Sequence, residues 1–594
     1  MYLEVGVLLE YPFDGAQLMR KKKALRQQLL EKPCTVTTRV AILGGSTTNH
    51  IADMLELFLL AQGIQPELYQ CEYGRFYEEA VFNTAQLAAW KPDFVYLHTT
   101  SRNILYWPEA TDSQEQAQQK LDAEYSRYQA VWQALAPLGC TIIQNNFEPP
   151  AFRLLGNRDV WDSRGRRGFL ERLNQRFYDY AAGQSGFFIQ DIDYLAAVAG
   201  LDSWNDPTAW CLYKYSPAPS AIPALCHSLA SIIKSALGRN KKALVLDLDN
   251  TLWGGIVGDD GVEGIEIGSE TPTGQLYHAF QSYLRLLSQQ GVMLTVNSKN
   301  DYENAIKGLE HPETVLRPQD MLVIKANWQP KDRNLLEIAQ ELNILPDSLV
   351  FVDDNPAERA IVASLDAGVA VPDIGQPEDY IRVLDRSGFF EVTNFTKDDL
   401  ERNQMYRENA QRVRLEAQAG SYEDYLKSLE MKAVLRPFEA VYLPRIAQLT
   451  NKSNQFNLTT RRCTATELEA AAADPGQITL YGKLTDRFGD NGVVSVVMGT
   501  VQGQTLDITL WLMSCRVLKR GMEQAMLDGL AALCKAKGVT TLVGHYYPTA
   551  KNAMVKDFYT EMGFDLLERA EDGTGRWSLD LTAYHNRNTM IEVE

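Results

Sequence analysis

The sequence lacks the closely spaced cysteine pairs of metal and redox sites. Its eight cysteines are scattered, and no two of them form a CxxC pair. Zinc knuckles and thioredoxin-like motifs depend on such pairs, so neither is expected. Since no secretion signal accompanies them, the cysteines are expected to be reduced thiols of a cytoplasmic protein.

Long apolar runs and a signal peptide are missing as well. No run of about 18 apolar residues occurs, so no membrane span is expected. The N-terminal apolar stretch is interrupted by Glu4, Glu10 and Asp14, and its basic residues follow it instead of preceding it. A signal peptide has the opposite arrangement, so this segment is not expected to be one.

The chain has fewer basic residues than acidic residues. The chain has 58 lysines and arginines against 76 aspartates and glutamates, for a net charge of -18. Such a surface repels phosphate backbones, so nucleic acid is not an expected partner. An acidic protein partner would need a local basic patch to overcome the same repulsion.

A chain of 594 residues is too long for one hydrophobic core, and we expect three domains, 1–237, 238–382 and 383–594. Apolar runs that alternate with helical patterns in the first two predict α/β layers with parallel sheets. The third begins with helices and then has strands on either side of a helix from about Arg516, which predicts an α+β domain. The predicted strands are VAILGG (40–45), DFVYLH (93–98), CTIIQN (140–145), GFFIQDI (186–192), ALVLDLDN (243–250), VMLTVNS (292–298), MLVIKA (321–326), SLVFVDD (348–354), NQFNLTT (454–460), VVSVVMGTV (493–501), LDITLWLM (506–513) and TTLVGHYY (540–547).

Two aspartates, Asp247 and Asp249, directly follow the most strand-like segment of the chain. Carboxylates at the carboxyl end of a strand occupy the usual ligand position of an open α/β sheet. One carboxylate can attack phosphorus as a nucleophile, and the other can protonate the leaving oxygen and later activate water. Both must reach one cavity, so the chain is expected to bend after the strand, with Leu248 between them anchored in the core.

Further polar residues follow in the order that such a site needs. Ser298 ends the next apolar strand and offers a hydroxyl to a phosphoryl oxygen. Lys331 precedes a helical pattern and can neutralise charge during transfer, although Lys299 and Lys325 are nearby competitors. Asp353 and Asp354 end a further strand and add hard oxygen ligands suited to Mg²⁺. We therefore predict a magnesium site formed by Asp247, Asp249, Asp353 and Asp354.

The stretches LDLDNTLWGGIVGDDG, VNSKN, IKANWQPKDRNL and FVDDNPAERA resemble the haloacid dehalogenase (HAD) superfamily, and in particular its FkbH-like branch, subfamily IIIC. The resemblance implies a Rossmann-like parallel sheet in the middle domain, a phosphoaspartate intermediate and a magnesium cofactor. The resemblance is expected to extend over most of the chain.

The first region has a glycine pair and a serine, Gly44-Gly45-Ser46, between its first strand and the next helix. This turn resembles the nucleophile turn of SGNH-type hydrolases, with Gly45 at the aspartate position. His98 and Asn103 follow the next strand, but no DxxH closing motif is present. We favour a degenerate hydrolase fold used for binding or scaffolding, and an ordinary strand-to-helix turn explains Ser46 about as well.

The third region resembles a GNAT-type acyltransferase. In that family the strand-to-helix junction presents backbone N–H groups to a pyrophosphate. Arg516 and Gly521 fit the junction, whereas Lys519 replaces its central glycine, so we expect Arg516, Lys519, Arg520 and Gly521 to bind the phosphate of a phosphopantetheine arm rather than ordinary acyl-CoA.

Cys515 precedes Arg516 and is expected near a helix N-terminus, two features that lower the pKa of a thiol. It is a candidate to hold an acyl group as a thioester. The alternative is a buried, inert cysteine, the common fate of free thiols.

FkbH-like proteins are associated with polyketide-type pathways. The resemblance implies a phosphorylated small-molecule acyl donor, 1,3-bisphosphoglycerate, whose phosphate is removed and whose glyceryl unit is loaded onto an acyl carrier protein. Arg461, Arg462, Arg516, Lys519 and Arg520 would form the basic patch for that acidic carrier. A stand-alone small-molecule phosphatase and a non-catalytic assembly protein of a polyketide or polysaccharide pathway remain open.

Overall fold

The computed structural model describes residues 8–34, 36–395, 400–453, 455–549 and 551–594. The chain divides into two compact units, residues 1–236 and 237–594. Residues 1–7 of the segment weighed above as a signal peptide lie outside the described residues. None of the described helices combines the length and apolar character that crossing a bilayer requires. The three predicted domain boundaries stay a prediction.

The first unit is built on one parallel sheet with the order β2-β1-β3-β4-β5. Its strands are β1 (Val36–Gly44), β2 (Ile64–Gln70), β3 (Phe94–His98), β4 (Thr141–Asn145) and β5 (Phe187–Gln190). Helices span Gly15–Leu30, Asn49–Ala61, Phe76–Val81, Thr84–Trp90, Gln114–Leu135, Arg166–Ala182, Ile192–Ala199, Leu201–Trp204, Pro207–Tyr213 and Ile222–Ala236. All five residues of β3 are buried, as expected for a parallel strand covered on both faces. The strands predicted in this region are confirmed.

The second unit contains a four-stranded parallel sheet with the order β8-β7-β6-β9. Its strands are β6 (Ala243–Leu246), β7 (Met293–Ser298), β8 (Val323–Ala326) and β9 (Leu349–Val352). Helices span Val257–Asp260, Pro272–Gln289, Tyr302–Leu309, Lys331–Glu341, Pro356–Ala363 and Tyr380–Arg386. Leu244 and Leu246 belong to one buried cluster, and Ala243 and Val245 belong to another. Both faces of the central strand β6 are therefore covered, which explains its unbroken apolar sequence.

The same unit also contains an eight-stranded mixed sheet with the order β15-β16-β14-β13-β12-β11-β10-β17. Its strands are β10 (Lys432–Arg436), β11 (Gln477–Asp486), β12 (Gly489–Gln502), β13 (Thr505–Met513), β14 (Thr541–Tyr546), β15 (Asp565–Arg569), β16 (Gly575–Asp580) and β17 (Glu592–Val593). Helices span Arg402–Gln418, Tyr422–Ser428, Leu443–Lys452, Ala465–Ala473, Met522–Ala536 and Phe558–Glu561.

The predicted multidomain α/β fold class is confirmed by two parallel sheets and one mixed sheet. The strand predicted over NQFNLTT is wrong, because its described residues 455–460 make only an isolated bridge, between Asn457 and Leu512. Residue 454 of that segment lies outside the described residues.

The helix predicted from about Arg516 is also misplaced. Residues Cys515–Val517 form a single 3₁₀ turn, and the α-helix spans Met522–Ala536. The backbone between them has a φ of +62° at Lys519 and +89° at Gly521. A right-handed helix cannot continue through such residues, so it begins only after Gly521.

Candidate active site

Asp247 lies at the carboxyl end of β6, the central strand of the four-stranded sheet. Its backbone N–H still bonds the carbonyl of Val352 on β9, at 2.9 Å, so the sheet fixes its position. The side chain is 10% exposed, and the neighbouring Leu248 is fully buried in the core. The structure therefore confirms that Asp247 directly follows a strand and that Leu248 is anchored in the core.

The expected bend after the strand centres on Asn250, whose φ is +56°. The carbonyl of Leu248 accepts hydrogen bonds from the amides of Thr251 and Leu252, which closes a tight turn. The carbonyl of Asn250 accepts hydrogen bonds from the hydroxyls of Tyr277 and Tyr380, at 3.2 and 3.0 Å. These bonds hold a backbone conformation that side-chain-bearing residues rarely adopt.

Three carboxylates meet at this edge of the sheet. Asp247, Asp353 and Asp354 each offer an oxygen, and these oxygens lie within 4.8 Å of one another. Asp353 is fully buried, and the hydroxyl of Thr251 lies 3.5 Å from the Asp354 carboxylate. Hard oxygen donors grouped in this way suit a divalent cation such as magnesium.

Lys331 supplies the positive charge that faces this group. Its ammonium nitrogen lies 3.0 Å from the Asp247 carboxylate and 2.5 Å from the Asp353 carboxylate, and the side chain is 3% exposed. The two competing lysines are engaged elsewhere. Lys299 pairs with Glu358 at 2.6 Å, and Lys325 bonds Glu337 at 3.0 Å and Glu341 at 2.5 Å. The structure therefore brings Lys331, and neither competitor, to the aspartates.

Two buried asparagines that the sequence analysis overlooked position this lysine. The side-chain amide of Asn297 donates to the carbonyl of Lys331 at 2.8 Å, and that of Asn334 donates to Asn297 at 3.2 Å. Asn297 is fully buried next to Ser298 on β7. An asparagine inside a fully buried strand is the signal that the sequence offers, because a buried amide must find partners.

Burial governs the electrostatics of the group. Desolvation raises the pKa of Asp247, Asp353 and Asp354, and the mutual repulsion of Asp353 with its neighbours adds to the effect. Burial alone would lower the pKa of Lys331, but the carboxylates of Asp247 and Asp353 raise it. When ionised, three carboxylates face one ammonium, so the group carries an excess of negative charge.

Ser298 ends β7 and is 2% exposed. Its hydroxyl is near enough to the Asp247 carboxylate to favour the ionised form of that group, which lowers its pKa. The predicted hydroxyl donor therefore lies beside the predicted nucleophile.

Asp249 faces a different set of donors. One carboxylate oxygen accepts from the indole of Trp253 at 2.9 Å and from the amide of Val257 at 3.1 Å, and the other accepts from Asn300 at 3.0 Å. Among the described residues, its carboxylate does not join the group of Asp247 and its neighbours. The place of Asp249 in the predicted metal site stays a prediction, and both of its carboxylate oxygens are turned to these donors. Burial raises its pKa, which suits a group that must hold a proton.

Cys515 lies near the amino ends of the strands of the four-stranded sheet, whereas Asp247 follows the carboxyl end of β6. Its carbonyl accepts a hydrogen bond at 3.2 Å from Asn343, which follows the carboxyl end of helix Lys331–Glu341, and its sulfur lies 3.8 Å from the Asn343 carbonyl. Asp347, just before β9, forms an ion pair with Lys551 at the same edge. The expected position of Cys515 at a helix N-terminus is wrong, since the helix begins at Met522.

The basic residues predicted around Cys515 each contact different groups. Arg520 is 6% exposed, donates to Asn409 at 2.8 Å and lies 3.5 Å from the Asp486 carboxylate. Arg516 contacts the hydroxyl of Ser514 at 3.2 Å. Lys519 and Gly521 line a cavity of about 440 Å³ at the start of the helix. Of the predicted basic patch, Arg462 donates to the carbonyl of Asn451 at 2.6 Å and Arg461 is exposed.

In the first unit, Ser46 and His98 are both buried and meet at one backbone oxygen. The Ser46 hydroxyl donates to the carbonyl of Ser216 at 3.1 Å, and the Nε2 atom of His98 lies 2.7 Å from the same oxygen. Burial lowers the pKa of His98 to about 4, and the side chain of Asn103 donates to the carbonyl of Gly45. This arrangement stabilises the turn. A role of the first unit in binding or scaffolding stays a prediction.

No family model and no curated protein matches the chain. Among solved structures, the chain is similar to the N-terminal part of the protein BF1531 from Bacteroides fragilis, which contains a phosphatase domain and was crystallised with magnesium. The two are 27% identical with a TM-score of 0.59, and the match covers 64% of this chain and 100% of that one.

Two acetyltransferase structures match smaller parts of the chain. The ribosomal-protein-S18-alanine N-acetyltransferase from Escherichia coli is 15% identical, with a TM-score of 0.20 and coverage of 26% of this chain and 96% of that one. The GNAT domain of PAT from S. lividans is 15% identical, with a TM-score of 0.20 and coverage of 25% and 89%. Likenesses as slight as these carry no argument.

Replacing Asp354 by asparagine is expected to raise the melting temperature by a few degrees at neutral pH. Burial and the charge of Asp353 raise the pKa of Asp354, so the folded state keeps a proton at pH values where the unfolded chain has lost it. The free energy of unfolding of the natural protein therefore falls as pH rises through the folded pKa, and a neutral amide avoids that loss.

The measurement is scanning calorimetry in metal-free buffer between about pH 4 and about pH 8. The gain should shrink toward acidic pH, where the natural carboxyl is also neutral. Asp565→Asn, on an exposed strand, is the matched control. A variant that melts at or below the natural protein at neutral pH would contradict the expectation.

Proposed function

We propose that the group formed by Asp247, Asp353, Asp354 and Lys331 is a magnesium-dependent phosphoryl-transfer site, with Asp247 as the nucleophile. The observation that carries this proposal is the meeting of three carboxylates and one buried ammonium at the end of β6. The 27% identity to a phosphatase domain crystallised with magnesium supports it.

In the proposed reaction, the Asp247 carboxylate attacks phosphorus and forms an acyl phosphate, and the bond to the leaving oxygen breaks. Asp249 protonates that oxygen, which its raised pKa suits. The Asp249 carboxylate then takes a proton from water as the water attacks the phosphoaspartate. Inorganic phosphate is released and the Asp247 carboxylate is restored.

Lys331 and Ser298 act on the transferred group. Both already contact the Asp247 carboxylate, so they would meet the phosphoryl oxygens that this carboxylate brings close. Asp247, Asp353 and Asp354 would hold a magnesium ion, whose charge offsets the repulsion between carboxylate and phosphate. The excess negative charge of the three carboxylates over one ammonium fits a dication.

The fuller reaction that we propose follows from the FkbH-like sequence resemblance. The site would remove the phosphate ester of a 1,3-bisphosphoglycerate-like donor, while a thiol displaces the acyl phosphate and takes the glyceryl unit as a thioester. The glyceryl unit would then pass to the phosphopantetheine thiol of an acyl carrier protein. Cys515 is the candidate for the first thiol, since it is only partly buried.

One observation favours a second candidate, a stand-alone small-molecule phosphatase. Cys515 contacts Asn343 at the amino edge of the sheet, whereas Asp247 lies at its carboxyl edge. The thiol therefore does not share a cavity with the carboxylates, and phosphate removal would need nothing from it.

Asp247→Asn is expected to reduce phosphate release at least about 10³-fold, because a neutral amide cannot attack phosphorus. Asp249→Asn should reduce hydrolysis of an alkyl phosphate by about 10² to 10⁴-fold. With p-nitrophenyl phosphate, whose leaving group needs no proton, Asp249→Asn should still release a burst of nitrophenol while the phosphoenzyme accumulates.

Stopped-flow absorbance and intact-protein mass measure these two outcomes. Asp366→Asn is the control, because Asp366 is exposed and its φ of +48° suits asparagine. Undiminished turnover in Asp247→Asn would refute the nucleophile.

Removal of divalent cations with a chelator is expected to abolish phosphate release, and added Mg²⁺ should restore it. Mg²⁺ should also stabilise the folded protein, by about 2.7 kcal/mol at a concentration 100 times its Kd. Differential scanning fluorimetry of the natural protein and Asp353→Asn separates binding from turnover. A full melting-temperature shift in Asp353→Asn, or activity that survives chelation, would count against the metal site.

Incubation of the protein with Mg²⁺, 1,3-bisphosphoglycerate and a carrier protein is expected to add the mass of one glyceryl group to the carrier. Cys515→Ala should abolish this adduct and the thiol-dependent release of the acyl phosphate. Release of the ester phosphate should stay unchanged, because the thiol lies apart from the carboxylates. Cys211→Ala, which removes an exposed cysteine of the first unit, is the control. Phosphate release without any adduct would favour the stand-alone phosphatase.

A further inference from the structure

A cavity of about 440 Å³ opens beside the first turn of helix Met522–Ala536. Much of its wall is apolar, and its lining residues come from five separate stretches of the chain. Its apolar lining includes Leu426, Phe456, Leu518, Val555, Phe558 and Met562. Such a wall suits the carbon chain of an elongated ligand.

Two acceptor oxygens interrupt this apolar wall. Glu523 is 8% exposed, and Gln524 stands next to it in the same helical turn. Among the residues that the structure describes, Oε2 of Glu523 and Oε1 of Gln524 are buried without a hydrogen-bond partner. Both residues line the cavity. Leaving a buried acceptor unpaired costs free energy, so a ligand that supplies donors would be favoured.

The carboxylate of Glu523 also occupies the place where an anion would bind. Its Oε1 atom accepts the backbone N–H of Lys519 at 2.8 Å, in the turn that leads into the helix. Free N–H groups at a helix start attract phosphate, but here a side chain of the protein has already brought a negative charge to them. Burial raises the pKa of this carboxyl, which reflects how poorly it is solvated.

The other charges of the cavity lie nearer to solvent. Lys519 and Glu561 are exposed, and the guanidinium of Arg587 donates to the carbonyl of Met562 at 2.7 Å. These exposed groups include both signs and are screened by water and salt. The buried charge of Glu523 therefore dominates the interior of the cavity.

We infer that this cavity binds an uncharged chain with amide N–H donors, and that Glu523 excludes phosphate-bearing ligands from it. A pantetheine chain has this chemistry, and coenzyme A adds the excluded phosphates. In a carrier protein this chain ends in a single phosphate outside the cavity, whereas coenzyme A brings a pyrophosphate and a ribose phosphate to the same place, so Glu523 repels the carrier-borne chain less. The inference rests on the proposed carrier-dependent reaction for the source of the chain, and it makes Glu523 the residue that selects a carrier-borne chain over a free nucleotide.

The test is isothermal titration of the full-length protein with pantetheine and with coenzyme A. Pantetheine should bind, and coenzyme A should bind at least about tenfold more weakly, because its phosphates are repelled by a buried carboxylate. Glu523→Gln should reduce the ratio of the two affinities by about the same factor, since the amide keeps the shape of the side chain and removes its charge. Glu568→Gln, on an exposed strand, changes the net charge equally and should leave the ratio unchanged.

A competition experiment needs no variant and so does not depend on how Glu523→Gln folds. Inorganic pyrophosphate should fail to displace pantetheine from the natural protein. Equal affinity for pantetheine and coenzyme A, displacement by pyrophosphate, or no binding of pantetheine would each overturn the inference.

Asp247→Asn separates this inference from the proposed function. That variant should lose phosphate release and bind pantetheine as the natural protein does. If the natural protein releases phosphate but does not prefer pantetheine over coenzyme A, only the role of Glu523 is refuted. If it prefers pantetheine but releases no phosphate, only the role of Asp247 is refuted.

Discussion

The buried contact of one ammonium with two carboxylates organises the second unit of this protein. Lys331 lies between Asp247 and Asp353, where each charge would be costly without the others. Because β6 and β9 are neighbours in a parallel sheet, their carboxyl ends deliver the two aspartates to one point. The helix that begins at Lys331 then delivers the opposite charge. The order of the strands and the start of the helix are thus both needed to bring these three charges together.

Much of this arrangement could be predicted from the sequence, because strand ends are visible as the points where apolar runs meet polar residues. Asp247, Ser298, Asp353 and Asp354 each follow or end such a run, and the structure places them together. The pattern alone does not distinguish Lys331 from two nearby lysines, because it does not reveal which of them has another partner. Lys299 and Lys325 have glutamate partners that only tertiary structure brings close.

The features that the sequence does not predict have physical causes as well. The role of Asp249 depends on where its side chain turns, and that direction is set by Trp253 and Asn300, which no spacing rule connects to it. The helix near Cys515 begins later than the sequence predicts, because Lys519 and Gly521 adopt left-handed backbone conformations. Tertiary structure overrides local preference at both places. Ser46 and His98 resemble catalytic residues in the sequence. In the structure, the Ser46 hydroxyl and the His98 imidazole both contact one backbone carbonyl of the same chain.

The placement of Cys515 at the amino edge of the sheet has a kinetic consequence. Strand β6 has four residues, so the two edges are separated by roughly 13 Å of backbone. A three-carbon intermediate cannot span that distance while it stays bound at both ends. Channelling between the two chemistries would therefore require a tethered arm, which maintains a high effective concentration. An untethered intermediate would be lost to dilution in bulk solvent, and the efficiency of the coupled reaction would then fall as the protein is diluted.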